Sequence, residues 1–160
     1  PVRDGHGRLR GLHGRSIRDD VGLRYLMYTL PDPRDPAVRR CNPDVWLGEA
    51  WVDPDRPVVV VESVFDLARV YQCYRNVIAP LSASLNARKL ARLAGIATLV
   101  PMFDADKAGA QALARLTRAL RGTAIVPVQS IGGHEDPGAA PVEAVAGILA
   151  RYVALDPILA

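Results

Sequence analysis

Lysine is nearly missing from this chain: only Lys89 and Lys107 stand beside 18 arginines. Glutamate is absent from residues 1–40, which hold nine of those arginines and five aspartates. Guanidinium groups suit bidentate contacts to phosphate, so this stretch reads as a phosphate-binding face. The plainer reading is a solvated surface in an arginine-biased protein. No run of 18 apolar residues occurs, which excludes a transmembrane helix. The first residues, PVRDGHGRLRG, lack the apolar segment of a signal peptide. Cys41 and Cys73 are 32 positions apart and lack the paired spacing of a zinc site, so they read as free thiols of a reducing cytoplasm. No GxxxxGKS/T loop is present, so a nucleoside triphosphate would not be held in the P-loop manner. No initiator Met precedes Pro1, and the chain reads as an excised piece of a longer protein.

What is present is enough for one domain with a small appendage: 160 residues, 49% apolar and 23% charged, can bury a core without a disulfide or structural metal. In residues 1–30, short apolar pieces (9-LRGLHGRSI-17, 23-LRYLMYTL-30) alternate with glycine and arginine, which predicts two or three short strands or hairpins. The segment 31-PDPRDPAVRRCNP-43 carries four prolines and reads as a loop or linker. We therefore divide the chain into a basic appendage, residues 1–50, and a main domain, residues 51–160.

The main domain alternates strand and helix patterns. VVVVE (58–62) is a β-branched run of the kind buried on both faces of a parallel sheet. A helix is predicted over 64–74, a strand over 76–81 and a helix over 86–94 opened by Asn86. A third strand follows over 97–103, with Pro101 awkward in its middle. Then come a helix over 108–120, a fourth strand over 123–129 and a last helix over 141–153 led by Pro141. This order predicts an α/β domain with a mostly parallel four-stranded sheet flanked by helices.

Ligands of such sheets sit at the carboxyl ends of the strands, and that is where the acids fall. Glu62 ends the first strand, with Asp66 one helical turn on; Asp104 and Asp106 end the third; Glu135 and Asp136 follow the fourth. Each has a bland alternative as a helix cap, a turn former or a solvated charge. Together they would repel one another unless a cation neutralised them. Hard oxygen donors of this kind suit Mg²⁺ or Mn²⁺, which commonly serve phosphoryl chemistry.

These residues resemble the Toprim domain shared by bacterial-type primases, type IA and II topoisomerases and some nucleases. Its Glu after the first strand is matched by Glu62, and its DxD after the third by Asp104 and Asp106. VVVVESVFD (58–66), FDADKAG (103–109) and HEDPG (134–138) are similar to the primase forms, with Asp136 as the first acid of the last motif. Gly138 stands where that motif has its second acid. DGHGRLRGLHGRSI followed by RYL resembles the segment before Toprim in primases, with Met27 where the family has Asn.

The resemblance implies a Toprim, Rossmann-like fold and the nucleotidyltransferase core of a phage- or mobile-element-like DNA primase, making short RNA primers during replication. It implies single-stranded DNA and nucleoside triphosphates as substrates, and a replicative helicase as a partner through regions outside this chain. Asp104, Asp106 and Asp136 would hold Mg²⁺ or Mn²⁺, Glu62 would be a further ligand or a base, and Asp66 an auxiliary ligand. Arg15, Arg24 and Lys107 would offset phosphate charge. The alternatives are a Toprim nuclease or topoisomerase fragment, or a non-catalytic nucleic-acid-binding module. Tyr71 and Tyr74, on a helix predicted to be buried, are poor candidates for a topoisomerase nucleophile.

Overall fold

The computed structural model describes residues 1–156 except 19, 21, 23–24, 30, 33–34, 40–43 and 82–84. Its centre is the valine run. Strand β7 (Val58–Val60) sits in the middle of a five-stranded sheet of order β10-β9-β7-β8-β6, with β8 at Val77–Pro80, β9 at Thr98–Pro101, β10 at Ala124–Ile125 and β6 at Trp46–Leu47. β8, β9 and β10 run parallel to β7 or its neighbour, whereas β6 pairs antiparallel with β8. The sheet is thus the expected parallel four strands plus an antiparallel edge strand drawn from before residue 51.

Side chains alternate across a strand, and the run serves both faces. Val59 and Val61 pack with α1 (Val64–Val70) and α4 (Val142–Leu149) through Leu67, Val70, Val145 and Leu149. Val58 and Val60 pack on the other side with Leu93, Leu99 and Leu116, beneath α2 (Ala87–Ala91) and α3 (Lys107–Ala119). At about 1.5–3 kcal/mol for each fully buried aliphatic side chain, these two layers are what fix the strand order.

Pro101 is accommodated by position. Met102 donates to Val60 O on the β7 side, and the carbonyls of Leu99 and Pro101 accept from Val126 and Val128 on the β10 side. The nitrogen of Pro101 faces the same way as its carbonyl, towards edge strand β10. Only one bond to an edge is forgone, and β10 is correspondingly short. The predicted fourth strand survives beyond Ile125 as an extended segment held by those two bonds.

The first three strands, β1 (Val2–Arg3), β2 (Leu9–Arg15) and β3 (Tyr25–Thr29), form an antiparallel sheet. It is anchored to the main domain by Val2 and Met27, which pack with Val45, Leu81 and Leu47. Met27 therefore packs into an apolar joint at the place where the resemblance leads one to expect Asn. The segment read as a loop contains a hairpin, β4 (Pro31–Asp32) with β5 (Asp35–Arg39). A two-stranded hairpin leaves free edges on which proline is tolerated, which composition alone does not reveal. Helices α1, α2 and α4 are shorter than predicted, and Pro141 caps α4 rather than entering it. Among the described residues no helix is long and apolar enough to cross a membrane. Cys73 is a buried free thiol whose pKa is raised by burial, and Cys41 lies outside the described residues.

Candidate metal centre

Because β7 and β9 are hydrogen-bonded neighbours, with Val60 paired to Pro101, the turns that follow them lie side by side. Glu62 leaves one and Asp104 the other. Glu62 Oε1 accepts the backbone N–H of Asp104 at 2.9 Å. Asp106 is the N-cap of α3, and its Oδ1 accepts Gly109 N–H at 2.8 Å. Gly109 is buried here: a Cβ at this position would stand 2.3 Å from Asp104 O and 2.9 Å from Glu62 Oε1. The close approach of the helix to both acids depends on the missing side chain.

Asp66 is 3% exposed. With Ser63 it forms a capping box on α1: Ser63 Oγ accepts Asp66 N–H at 3.2 Å, and Asp66 Oδ2 accepts Ser63 N–H at 2.9 Å. Its other oxygen, Oδ1, accepts Gly138 N–H at 3.0 Å. Asp66 thereby ties the loop carrying Asp136 to the turn carrying Glu62. Asp136 Oδ1 accepts Ala139 N–H at 2.7 Å within that loop. Glu135 is exposed and lines a cleft of about 540 Å³ between the start of α3 and residues 127–135, together with Asp104, Asp106, Ser130 and His134.

The acids strain against one another electrostatically. Burial, then the charges of Glu62, Asp66, Asp136 and Asp106, push Asp104 up to about 6. Glu62 is also raised, first by burial and then by Asp106 and Asp66, against the lowering effect of the Asp104 N–H. Asp104 Oδ1 is buried and has no hydrogen-bond partner. A buried oxygen of this kind is costly unless a cation or solvent satisfies it, and unneutralised acids are what raise carboxylate pKa values. The donors fit a hard divalent cation in kind. Among the described residues no three acid, histidine or cysteine side chains already converge on one point. Closing around an ion therefore requires side-chain movement; Asp106 is exposed, and with its Oδ1 holding the Gly109 N–H, its Oδ2 is the oxygen left to offer.

Lys107 is exposed at the first position of α3. Arg24 lies outside the described residues. Arg15 is exposed at the end of β2, its guanidinium carbon 5.0 Å from the Phe65 ring centre and 5.7 Å from that of Tyr25. Phe65 belongs to the first turn of α1, so Arg15 reaches the same turn that follows Glu62. Sequence reasoning did not single out Ser63, Phe65 or Gly109. Ser63 and Asp66 were readable as the S-x-x-D signature of a capping box; a lone phenylalanine on a helix carries no comparable signal.

A Toprim domain profile matches residues 56–131. The DNA primase of Aquifex aeolicus (strain VF5) is 29% identical over 115 residues, which are 71% of this chain and 23% of that protein. The chain therefore spans less than a quarter of this curated relative. The fold is similar to the zinc-binding and RNA polymerase domains of the Aquifex aeolicus primase, with TM-score 0.71, 24% identity, and 98% of this chain and 40% of that one covered. It is also similar to the RNA polymerase domain of Mycobacterium tuberculosis primase DnaG, with TM-score 0.68, 20% identity, and 99% and 55% covered. The primase fragment of the bacteriophage T7 primase-helicase protein aligns with TM-score 0.68 and 16% identity over 94% of this chain and 59% of that one. Residues 56–131 thus form a Toprim domain, similar in sequence to a DNA primase and in fold to the RNA polymerase domains of primases.

Proposed function

We propose that this chain is the metal-dependent nucleotidyl-transfer core of a primase, joining ribonucleotides on a single-stranded DNA template. The observation that carries the reading is the orphaned Asp104 Oδ1 beside Glu62, in an acid cluster that raises Asp104 to about 6. Asp104, Asp106 and Asp136 would hold Mg²⁺ or Mn²⁺, with Glu62 as a further ligand or as the group that takes the proton of an attacking 3′-hydroxyl. When bound, the ion supplies charge neutralisation at the phosphate oxygens. Glu62 and Asp104 are held in register by their hydrogen bond, and burial, with the charges of Asp106 and Asp66, makes the Glu62 carboxylate a stronger proton acceptor than a free one. Asp66, with both oxygens engaged by backbone N–H groups, positions the Asp136 loop. Residues 1–50 would bring Arg15 and the remaining arginines to the nucleic acid, and residues 51–160 the acids.

The template and triphosphate assignments rest on the relatives. A similar RNA polymerase domain, from the Mycobacterium tuberculosis primase, has been solved with a double-stranded DNA oligomer bearing a 6-nucleotide overhang. Helicase contact would come through regions outside this chain. One observation favours a second reading, a nucleic-acid-binding module without catalysis: no three acids converge among the described residues. Two measurements separate the readings. Calorimetric titration with Mn²⁺ is expected to show binding to the chain, lost in Asp104→Ala/Asp106→Ala. Primer synthesis by the parent protein is expected to vanish in the same double variant; primers still made at the parent rate would end the catalytic assignment.

A further inference from the structure

Among the described residues, the turn after Glu62 and the N-terminal sheet meet through planar groups and not through an ion pair. His13 stacks on Tyr25 at 5.6 Å between ring centres and 10° between planes. Arg15, two residues along β2 from His13 and paired in register with Tyr25, holds its guanidinium near that ring and nearer to Phe65. The four groups form a continuous series, His13–Tyr25–Arg15–Phe65, that crosses from the sheet to the first turn of α1. Among the described residues no carboxylate pairs with Arg15, so its N–H edges remain available.

Burial of aromatic surface does not explain this series. Phe65 is 47% exposed and Tyr25 is 44% exposed. A phenylalanine placed for stability on α1 would face Leu67 and Val70 in the core, yet this one projects outward beside the acid rim. Arg15 screens part of its ring and leaves the rest in water. An open aromatic surface and a guanidinium edge beside it, in a chain whose first 40 residues hold nine arginines, are together complementary to a nucleotide unit. The ring takes a base by its face, which every base possesses, and the arginine takes the adjoining phosphate.

We propose that Phe65 and Arg15, braced by Tyr25 and His13, form a stacking subsite that grips one nucleotide of a single strand where it enters the acid rim. The proposal deepens the reading of the chain as a nucleic-acid enzyme and rests on it. It adds a base contact, independent of metal, that the acids do not provide. The subsite reads the presence of a base and not its identity, because a ring face stacks on any base.

The test is equilibrium binding of the chain, in EDTA, to two labelled strands with equal numbers of phosphates: an oligothymidylate and its abasic counterpart. The oligothymidylate is expected to bind about tenfold tighter, the effect of stacking roughly one base. Phe65→Ala is expected to erase that preference without changing the dependence on salt, and Phe65→Trp to restore it. Arg15→Gln is expected to weaken both strands and to lower the salt slope by about one. Because Phe65 is exposed, thermal unfolding of its variants should match that of the parent. Equal binding of the two strands by the parent chain, or a preference untouched by Phe65→Ala, overturns the subsite while the metal-dependent reading stands on its own Mn²⁺ titration. A chain that binds no single strand overturns the subsite as well.

Discussion

Glu62 Oε1 accepts the backbone N–H of Asp104 at 2.9 Å, so the acid that ends β7 is fastened to the segment that carries two more beyond β9. The bond fixes the spacing of charges belonging to different strands. It also uses one oxygen of Glu62 and leaves Asp104 Oδ1 with nothing.

Gly109 is what allows helix α3 to come that close. Alanine normally favours a helix over glycine by about 1 kcal/mol. Here its Cβ would meet the Asp104 carbonyl at 2.3 Å, a backbone atom that cannot step aside. Gly109→Ala is therefore expected to destabilise the chain by about 1–3 kcal/mol, read as a lower urea midpoint. A variant as stable as the parent would show that helix α3 can draw back from the Asp104 carbonyl at no cost.

Asp104 sets the pH dependence. Its folded pKa, about 6, lies above the ordinary 3.8, so the folded state holds its proton more tightly than the unfolded chain does. The associated stability is present below about pH 4 and is lost as pH rises through about 6. At full weight two pKa units correspond to about 3 kcal/mol, and partial exposure to solvent reduces this to about 1–2 kcal/mol. Asp104→Asn should thus raise the melting temperature of the metal-free chain at pH 7 and leave it unchanged at about pH 4. Mn²⁺ affinity of the parent should rise as pH rises over the same interval, since the ion competes with the proton. A pH-independent gain in Asp104→Asn would remove charge repulsion as its cause.

Much of this was legible beforehand because it depends on local pattern. Four β-branched residues in a row, 58-VVVV-61, can only be a strand covered on both sides, and its acid must then emerge at the ligand-bearing rim. The same logic placed Asp104 and Asp106. What escaped notice depends on contacts between distant segments. Trp46–Leu47 is too short to show a period, and joins the sheet because β8 offers it a free edge. The hairpin of 31–39 hid behind its prolines. Gly138 read as a lost acid, and only the fold reveals that its N–H serves Asp66 across 72 positions. The outward turn of Phe65 had no sequence signal, since an aromatic at helical spacing ordinarily means core.

Asp66 ought to behave as a structural acid whose loss is felt at the metal. Removing it strands the N–H groups of Ser63 and Gly138, which it now accepts at 2.9 and 3.0 Å. Asp66→Ala is expected to lower stability by about 2–3 kcal/mol, combining a lost cap with an unsatisfied buried donor. Asp66→Asn keeps one oxygen and should lose about half of that. Mn²⁺ binding should weaken in step with stability rather than disappear, because the Asp136 loop is loosened while Asp104 and Asp106 remain. Complete loss of Mn²⁺ in a folded Asp66→Asn protein would instead make Asp66 a ligand.

Gly138 poses the sharpest test of the acid count. A Cβ there would lie 3.0 Å from Asp66 Oδ1 and 3.2 Å from Asp136 Oδ1, so a side chain fits only if both carboxylates yield slightly. Gly138→Asp adds a charge beside acids that already repel, and in EDTA it is expected to lower the melting temperature by several degrees, the scale of about 1–2 kcal/mol. With Mn²⁺ present the added carboxylate becomes a donor, and the variant should recover more stability than the parent gains from the same ion. It should also take up more Mn²⁺ per chain. If the variant instead stays destabilised at saturating Mn²⁺, position 138 lies beyond reach of the ion, and its glycine is kept for the hydrogen bond to Asp66 alone.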